Sequence, residues 1–247
     1  MLDKFRFLSG NTLKLLAALF MVIDHVGLMF FPYEQSFRII GRLAFPIFAF
    51  MISEGARYTK NKFRYFFLMF SLATACQIVY YFFDGGSLYM CILVTFSLSI
   101  LLIYSLQWAK KALLSKESSL TEKIISPLAF LLLLALVYFL NEILEIDYGF
   151  FGILVPLFAS LFDFRGIDAP SELKKLDCLP IRISCLLIGL LLLSLDCGSI
   201  QFYSLLCCPV LLLYSGNRGR YKMKYFFYLF YPLHLVVLEG IYILSLL

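Results

Sequence analysis

Apolar runs of about the length of a membrane-crossing helix recur along the entire chain, and only short charged, Gly- or Pro-bearing stretches separate them. Roughly 20 helical residues rise about 30 Å, the thickness of the hydrocarbon core of a bilayer. With 62% hydrophobic and 15% charged residues there is too little polar surface to coat a water-soluble globule, for which about a quarter charged is usual. No segment long enough to fold alone is free of such runs, which excludes a separate soluble domain. The expectation is one integral-membrane domain over residues 1–247, an all-α, polytopic transmembrane helix bundle.

The runs mark nine spans, roughly 12–31, 39–56, 63–83, 88–108, 124–140, 150–164, 181–195, 199–213 and 225–246. The sixth to eighth are short, open to unusual tilt or partial re-entry, so eight or ten crossings stay open on length alone. Charge tests the assignment, because cytoplasmic connections hold the excess of Lys and Arg. Of the 21 basic residues, 19 fall on one side: Lys4, Arg6 and Lys14; Arg57, Lys60, Lys62 and Arg64; Lys110, Lys111, Lys116 and Lys123; Arg165, Lys174, Lys175 and Arg182; Arg218, Arg220, Lys222 and Lys224. Arg38 and Arg42 are the exceptions. The opposite connections carry Glu34, Asp84, Glu142, Glu145, Asp147 and Asp196. The alternation favours nine crossings, with the N-terminus in the cytoplasm and the C-terminus outside. The stretches 110–123 and 165–175 read as solvated cytoplasmic loops.

The first run resembles a secretory signal in its leading charges, but it is too long, contains Asp24 and His25, and lacks a small-x-small cleavage site, so it reads as a retained helix. The seven cysteines lie mostly in apolar runs without CxxC or Cys/His ligand spacing and read as packing residues, and no metal is expected.

A charged group at the centre of a membrane helix costs about 2.5–3.5 kcal/mol on insertion scales, which makes each one a functional candidate. The candidates are Asp24 and His25 in the first span, Arg38 and Arg42 at the outer end of the second, Glu54 and Arg57 near its inner end, and His234 and Glu239 in the last. Both histidines of the chain are among them, which suggests a shared polar cavity. The helical rise puts His25 about 20 Å in from residue 12, in the outer half of the membrane, at the level of Arg42, and His234 slightly below the midplane. Asp24 points about 100° away from His25 and is placed to pair with Arg42 rather than to orient the ring. Two roles fit His25: a neutral, buried imidazole acting as general base, or an interhelical polar clamp. Glu54 is placed to pair with Arg57, three residues on. The basic group 57–64 reads first as a topology determinant and second as a binder of a phosphate-bearing donor. Aromatics from Tyr225 to Tyr231 read as interfacial packing, and Pro46, Pro156, Pro209 and Pro232 as kinks. No Walker loop, HExxH, GxSxG or paired-carboxylate pattern is present.

The stretches LKLLAALFMVIDHVGLMFFP and FRIIGRLAFPIFAFMISEGARYTKNKFRYF resemble the opening of the TraX family of conjugal transfer proteins. KYFFYLFYPLHLVVLEGIY resembles its closing helix, and DYGFFGILVPLFASLF its central segment. The resemblance implies an acetyltransferase of the bacterial inner membrane, since the family is named for the protein that acetylates the N-terminus of F-type pilin. The family in turn resembles the broader integral-membrane acyltransferases, in which a membrane-embedded His is catalytic. Carried over, His25 is the catalytic His with Asp24 and Arg42 beside it. Arg38, Glu54, Arg57, Tyr231 and His234 are then substrate- or donor-binding. Acetyl-CoA is the implied donor, and a pilin or an envelope glycan or lipid the acceptor. Membrane lipid is an expected partner and nucleic acid is not. A small-solute transporter and a non-catalytic assembly protein are the rival readings. The first often shows repeated, interrupted halves, and no repeat is visible here.

Overall fold

The computed structural model describes residues 6–83 and 89–245; Lys4 and Asp84, counted above, lie outside them. Among the described residues the fold is all-helical, with seven helices long and apolar enough to cross a membrane and two shorter apolar ones. The elements are α1 (Gly10–Phe30), α2 (Gln35–Gly41), α3 (Ala44–Tyr58), α4 (Lys62–Phe83), α5 (Ile92–Leu114), α6 (Leu120–Ile143), α7 (Gly149–Ala159), α8 (Ser171–Lys175), α9 (Leu179–Cys197), a 3₁₀ helix (Ser199–Leu206), α10 (Cys207–Leu212) and α11 (Lys224–Ser245). The chain forms two compact units, residues 1–51 with 194–247, and residues 52–193.

In the first unit α1 is capped by Ser9, whose hydroxyl accepts from the Thr12 N–H at 3.1 Å. Leu13, Ala17, Ala18 and Met21 recur at helical spacing and are buried. Against α2 the helix uses small residues: a Cβ on Gly27 would overlap Phe37, and one on Gly41 would overlap the Asp24 carboxylate. The second expected span is interrupted. α2 ends at Gly41 and α3 begins at Ala44, because Pro46 has no N–H to offer the Arg42 carbonyl and its ring crowds that carbonyl. α1 and α11 run parallel, since their contacts keep the same order along both: Lys14 Nζ over the Phe227 ring at 5.6 Å, His25 against His234, and Phe30 against Tyr242 at 5.7 Å.

In the second unit α5 is the central helix, packed by α4, α6 and α7. Leu102, Ile103, Val137, Ile153 and Leu157 form its buried core. α7 follows a tight turn in which Tyr148 (φ 60°) and Gly149 (φ 59°) are both left-handed. It lies alongside α5 in parallel. Met90 exchanges backbone hydrogen bonds with Glu145 and Asp147, and Thr95 Oγ1 donates to Asp147 O at 2.7 Å. Farther along, Ser99 Oγ donates to Ile153 O at 2.7 Å and Gln107 Nε2 to Asp163 O at 3.2 Å. Lys110 Nζ then donates to the carbonyls of Ser160, Leu161 and Asp163 at 2.8–3.1 Å. These carbonyls lie at and just beyond the end of α7, where helical donors run out, and the ammonium satisfies them.

Two expectations therefore change. Lys110 is a part of α5 and not a residue of a solvated loop. The seventh apolar segment is not short, because α9 extends to 19 residues; the short ones are α7 and the 3₁₀–α10 pair.

Candidate functional site

In the first unit α1 turns Asp24 toward α2 and His25 toward α11, as two adjacent helical residues must. His25 Nδ1 lies 2.8 Å from the Met21 carbonyl oxygen, and His234 Nδ1 lies 2.9 Å from that of Phe230. A carbonyl only accepts, so both Nδ1 atoms carry the proton, and in each neutral ring Nε2 presents the lone pair. The two rings meet edge to face with centroids 5.2 Å apart. His234 is buried, stacked on Phe230 at 5.1 Å and flanked by Tyr231 at 5.6 Å. Its Nε2 has no hydrogen-bond partner among the described residues. The depth estimate from the helical rise had set the two histidines at different levels; parallel packing of α1 and α11 brings them into contact.

Asp24 receives two guanidiniums from α2 and its end. Arg38 Nη1 donates to Oδ2 at 2.8 Å, and Arg42 Nη2 approaches Oδ1 at 3.4 Å. The Asp24–Arg42 pairing expected from the sequence is present, with Arg38 the closer partner. One carboxylate against two guanidiniums leaves a formal charge of about +1, suited to an oxygen-rich or anionic group.

The 3₁₀ helix adds residues that the charge search passed over. Arg42 Nη1 reaches Gln201 Oε1 at 3.4 Å. In a 3₁₀ helix residues i and i+3 eclipse, so Ser204 stands on the same face as Gln201. Gln201 is 2% and Ser204 0% exposed, and neither the Gln201 amide nitrogen nor the Ser204 hydroxyl has a partner among the described residues. A neutral Gln and Ser three apart in an apolar segment were the available signal.

Glu54 and Arg57 fall in a different cluster, in the second unit. Glu54 does not pair with Arg57. It pairs with Arg182 at 2.5 Å, and Arg182 also donates to Ser53 Oγ and to the Ala159 carbonyl, both at 3.2 Å. Arg182 is 5% exposed and belongs to α9, so it is no loop cation. α9 brings a long, planar donor to a glutamate that the neighbouring Arg57 does not reach. Arg57 Nη1 instead holds Asp163 at 3.0 Å and Asp177 at 2.5 Å. The two carboxylates also accept backbone N–H groups, Asp163 from Arg165 and Asp177 from Phe164. With three carboxylates against two guanidiniums this network carries a formal charge of about −1, and it ties α3 to α9 and to the segment after α7.

Compared with known proteins, residues 9–242 match the family model described as TraX protein. No curated protein and no solved structure matches the chain. The match spans nearly the whole length, from the cap of α1 to the last turn of α11, and includes every residue of both clusters. The chain is a member of the TraX family.

Proposed function

We propose that the chain is an integral-membrane acetyltransferase that moves an acetyl group from cytosolic acetyl-CoA to a hydroxyl or amine at the outer side of the bacterial inner membrane, a pilin N-terminus or an envelope glycan or lipid. The observation that carries this reading is the pair of apposed histidines with both Nδ1 atoms against backbone carbonyls, which in the neutral ring leaves Nε2 as the atom able to accept a proton. A clamp that only joined helices would satisfy its polar atoms, whereas His234 Nε2 is buried and unpartnered.

In the reaction the acceptor O–H or N–H gives its proton to His25 Nε2 as its oxygen or nitrogen attacks the thioester carbonyl. The new C–O or C–N bond forms, the C–S bond breaks, and the leaving thiolate takes the proton from His25. Arg42 stands on the adjacent face of the site to stabilise developing negative charge, with Asp24 and Arg38 fixing its guanidinium. Tyr231 and Phe230 wall His234 away from water.

The charge alternation supports nine crossings with the N-terminus in the cytoplasm. The ladder between α5 and α7 adds support: the short segment 147–163 starts level with the start of α5 and ends level with Lys110 in the last turns of α5, as a segment crossing beside α5 would.

The test is release of free CoA from acetyl-CoA by purified protein in nanodiscs, supplied with candidate hydroxyl and amine acceptors. Replacing His25 by Ala is expected to lower turnover by about 10²–10⁴ with normal membrane insertion, the usual worth of general acid–base catalysis. His234→Ala lowers it less. Turnover retained in His25→Ala would sink the assignment, and substrate uptake without CoA release would favour a transporter.

A further inference from the structure

Resting on that acetyl-transfer reading, we infer that Lys14 on α1 and Arg218, Arg220 and Lys222 in the connection before α11 form the site for the phosphates of an acyl-CoA donor. The sequence reading gave that role to Arg57 among others, and its guanidinium is taken up by two carboxylates. The 214–222 connection is the opposite case. From Asp196 to Glu239 the chain has no acidic residue, and between Asp3 and Asp24 it has none either. Among the described residues no carboxylate pairs with Lys14, Arg218, Arg220 or Lys222. The three loop cations are exposed, and the charge of Arg218 acts on Lys14 as a like charge.

A basic connection that only directed insertion would need its charge count and no fixed path. This one has a fixed path. Leu8 N–H donates to Leu213 O and Ser215 N–H to Leu8 O, both at 2.9 Å; Gly10 N–H donates to Asn217 O at 2.8 Å and Asn11 N–H to Arg218 O at 3.0 Å. The Asn11 side chain donates to Tyr221 O at 2.6 Å. Gly216 (φ 76°) and Gly219 (φ 103°) supply left-handed turns, and a Cβ on Gly219 would press on Ser9 and Asn11. The loop is thereby bolted to the first turn of α1, and like charges are held together with no internal counter-charge. Such an arrangement is stabilised by an anion with several charges.

The position relative to the histidines fits the shape of the donor. Lys14 and His25 are eleven residues apart, about 16 Å along the axis and about 20° round it, so they share one face of α1. Both meet α11 on that face, Lys14 at Phe227 and His25 at His234. A seam between the two parallel helices thus leads from the cationic loop to the lone pairs, over a length that an extended pantetheine arm spans. Phosphates on the loop would put the thioester at His25.

The experiment measures CoA binding by calorimetry, and KM and kcat for acetyl-CoA, in nanodiscs of phosphatidylcholine alone and with added phosphatidylglycerol. Wild type is compared with Lys14→Gln, Arg218→Gln, Arg220→Gln and Arg218→Lys. Each Gln variant is expected to raise Kd and KM roughly tenfold, the worth of one charged hydrogen bond, with kcat little changed. Arg218→Lys should recover part of the affinity. Wild type should bind CoA more tightly than 3′-dephospho-CoA, inorganic pyrophosphate should compete, and rising salt should weaken binding. Unchanged CoA affinity in all Gln variants, with wild type binding well, would overturn this site and leave the acetyltransferase reading standing. Variants altered only in phosphatidylglycerol would overturn it in favour of a lipid headgroup contact. A wild type that neither binds CoA nor releases it from acetyl-CoA would remove the acetyltransferase reading, and this site with it.

Discussion

Asp24 is where the chemistry of single residues is most constrained. It holds two guanidiniums, and Gly41 is what lets α2 approach closely enough for them to reach it. Asp24→Asn keeps the shape and removes the charge that gathers Arg38 and Arg42, so CoA release should fall at least about tenfold, the value of one charged hydrogen bond. Gly41→Ala, which touches no reacting group, should behave like Asp24→Asn, because its methyl would take the space of the carboxylate. Normal turnover in Gly41→Ala would show that the close helix approach is dispensable. The Asp-His pair and the two arginines were legible in the sequence because charge inside an apolar run is conspicuous. Gln201 and Ser204 were not, since a hydroxyl in an apolar helix commonly bonds back to its own helix, as Ser97 and Ser99 do, and only the 3₁₀ geometry aligns these two on one face.

Elements account for what the sequence misassigned. Helical spacing pairs Glu54 with Arg57, yet each finds its partner on another element, Glu54 on α9 and Arg57 in the segment 163–177. Pairing by i+3 is local, and a buried carboxylate takes whichever guanidinium the fold brings with better geometry. Counting Lys110 and Arg182 as loop cations failed for a related reason. Both lie near helix ends, where a charge count cannot separate solvated cations from those that cap carbonyls or fill a buried pair. Breaking that pair is expected to be expensive. Glu54→Gln leaves Arg182 buried with its charge uncompensated and should lower stability by about 3–5 kcal/mol, whereas Glu54→Leu combined with Arg182→Met should regain most of the loss. Thermal unfolding in detergent, followed by tryptophan-independent thiol reactivity of the buried cysteines, distinguishes the two; a double variant as unstable as the single one would mean that the bonds to Ser53 and Ala159 matter more than the charge.

At the scale of the whole molecule, parity constrains the proposed topology. The first turn of α1 is hydrogen-bonded to the connection before α11, so the chain must cross an even number of times between those two points. Six helices long and apolar enough to cross precede α11; with all six crossing, α7 and the 3₁₀–α10 segment both cross or both do not, so the proposed topology has nine crossings or seven. Two observations favour nine. α7 with its following turn keeps pace with α5 from Met90 to Lys110, and only then do Arg165, Lys174 and Lys175 share a side with the other cations while Asp196 stays opposite. Length had left this open, because 11 residues of helix are too few for an ordinary span; burial among neighbouring helices lets irregular backbone complete the path. Single cysteines placed in a background lacking the seven native ones should decide it. Nine crossings require labels at Ser118, Asp168 and Asn217 to react from the cytoplasmic side and labels at Tyr33 and Gly198 from the outside. Under seven, Asp168 and Gly198 exchange sides while the other three keep theirs, and a basic connection would then face outward against its charge.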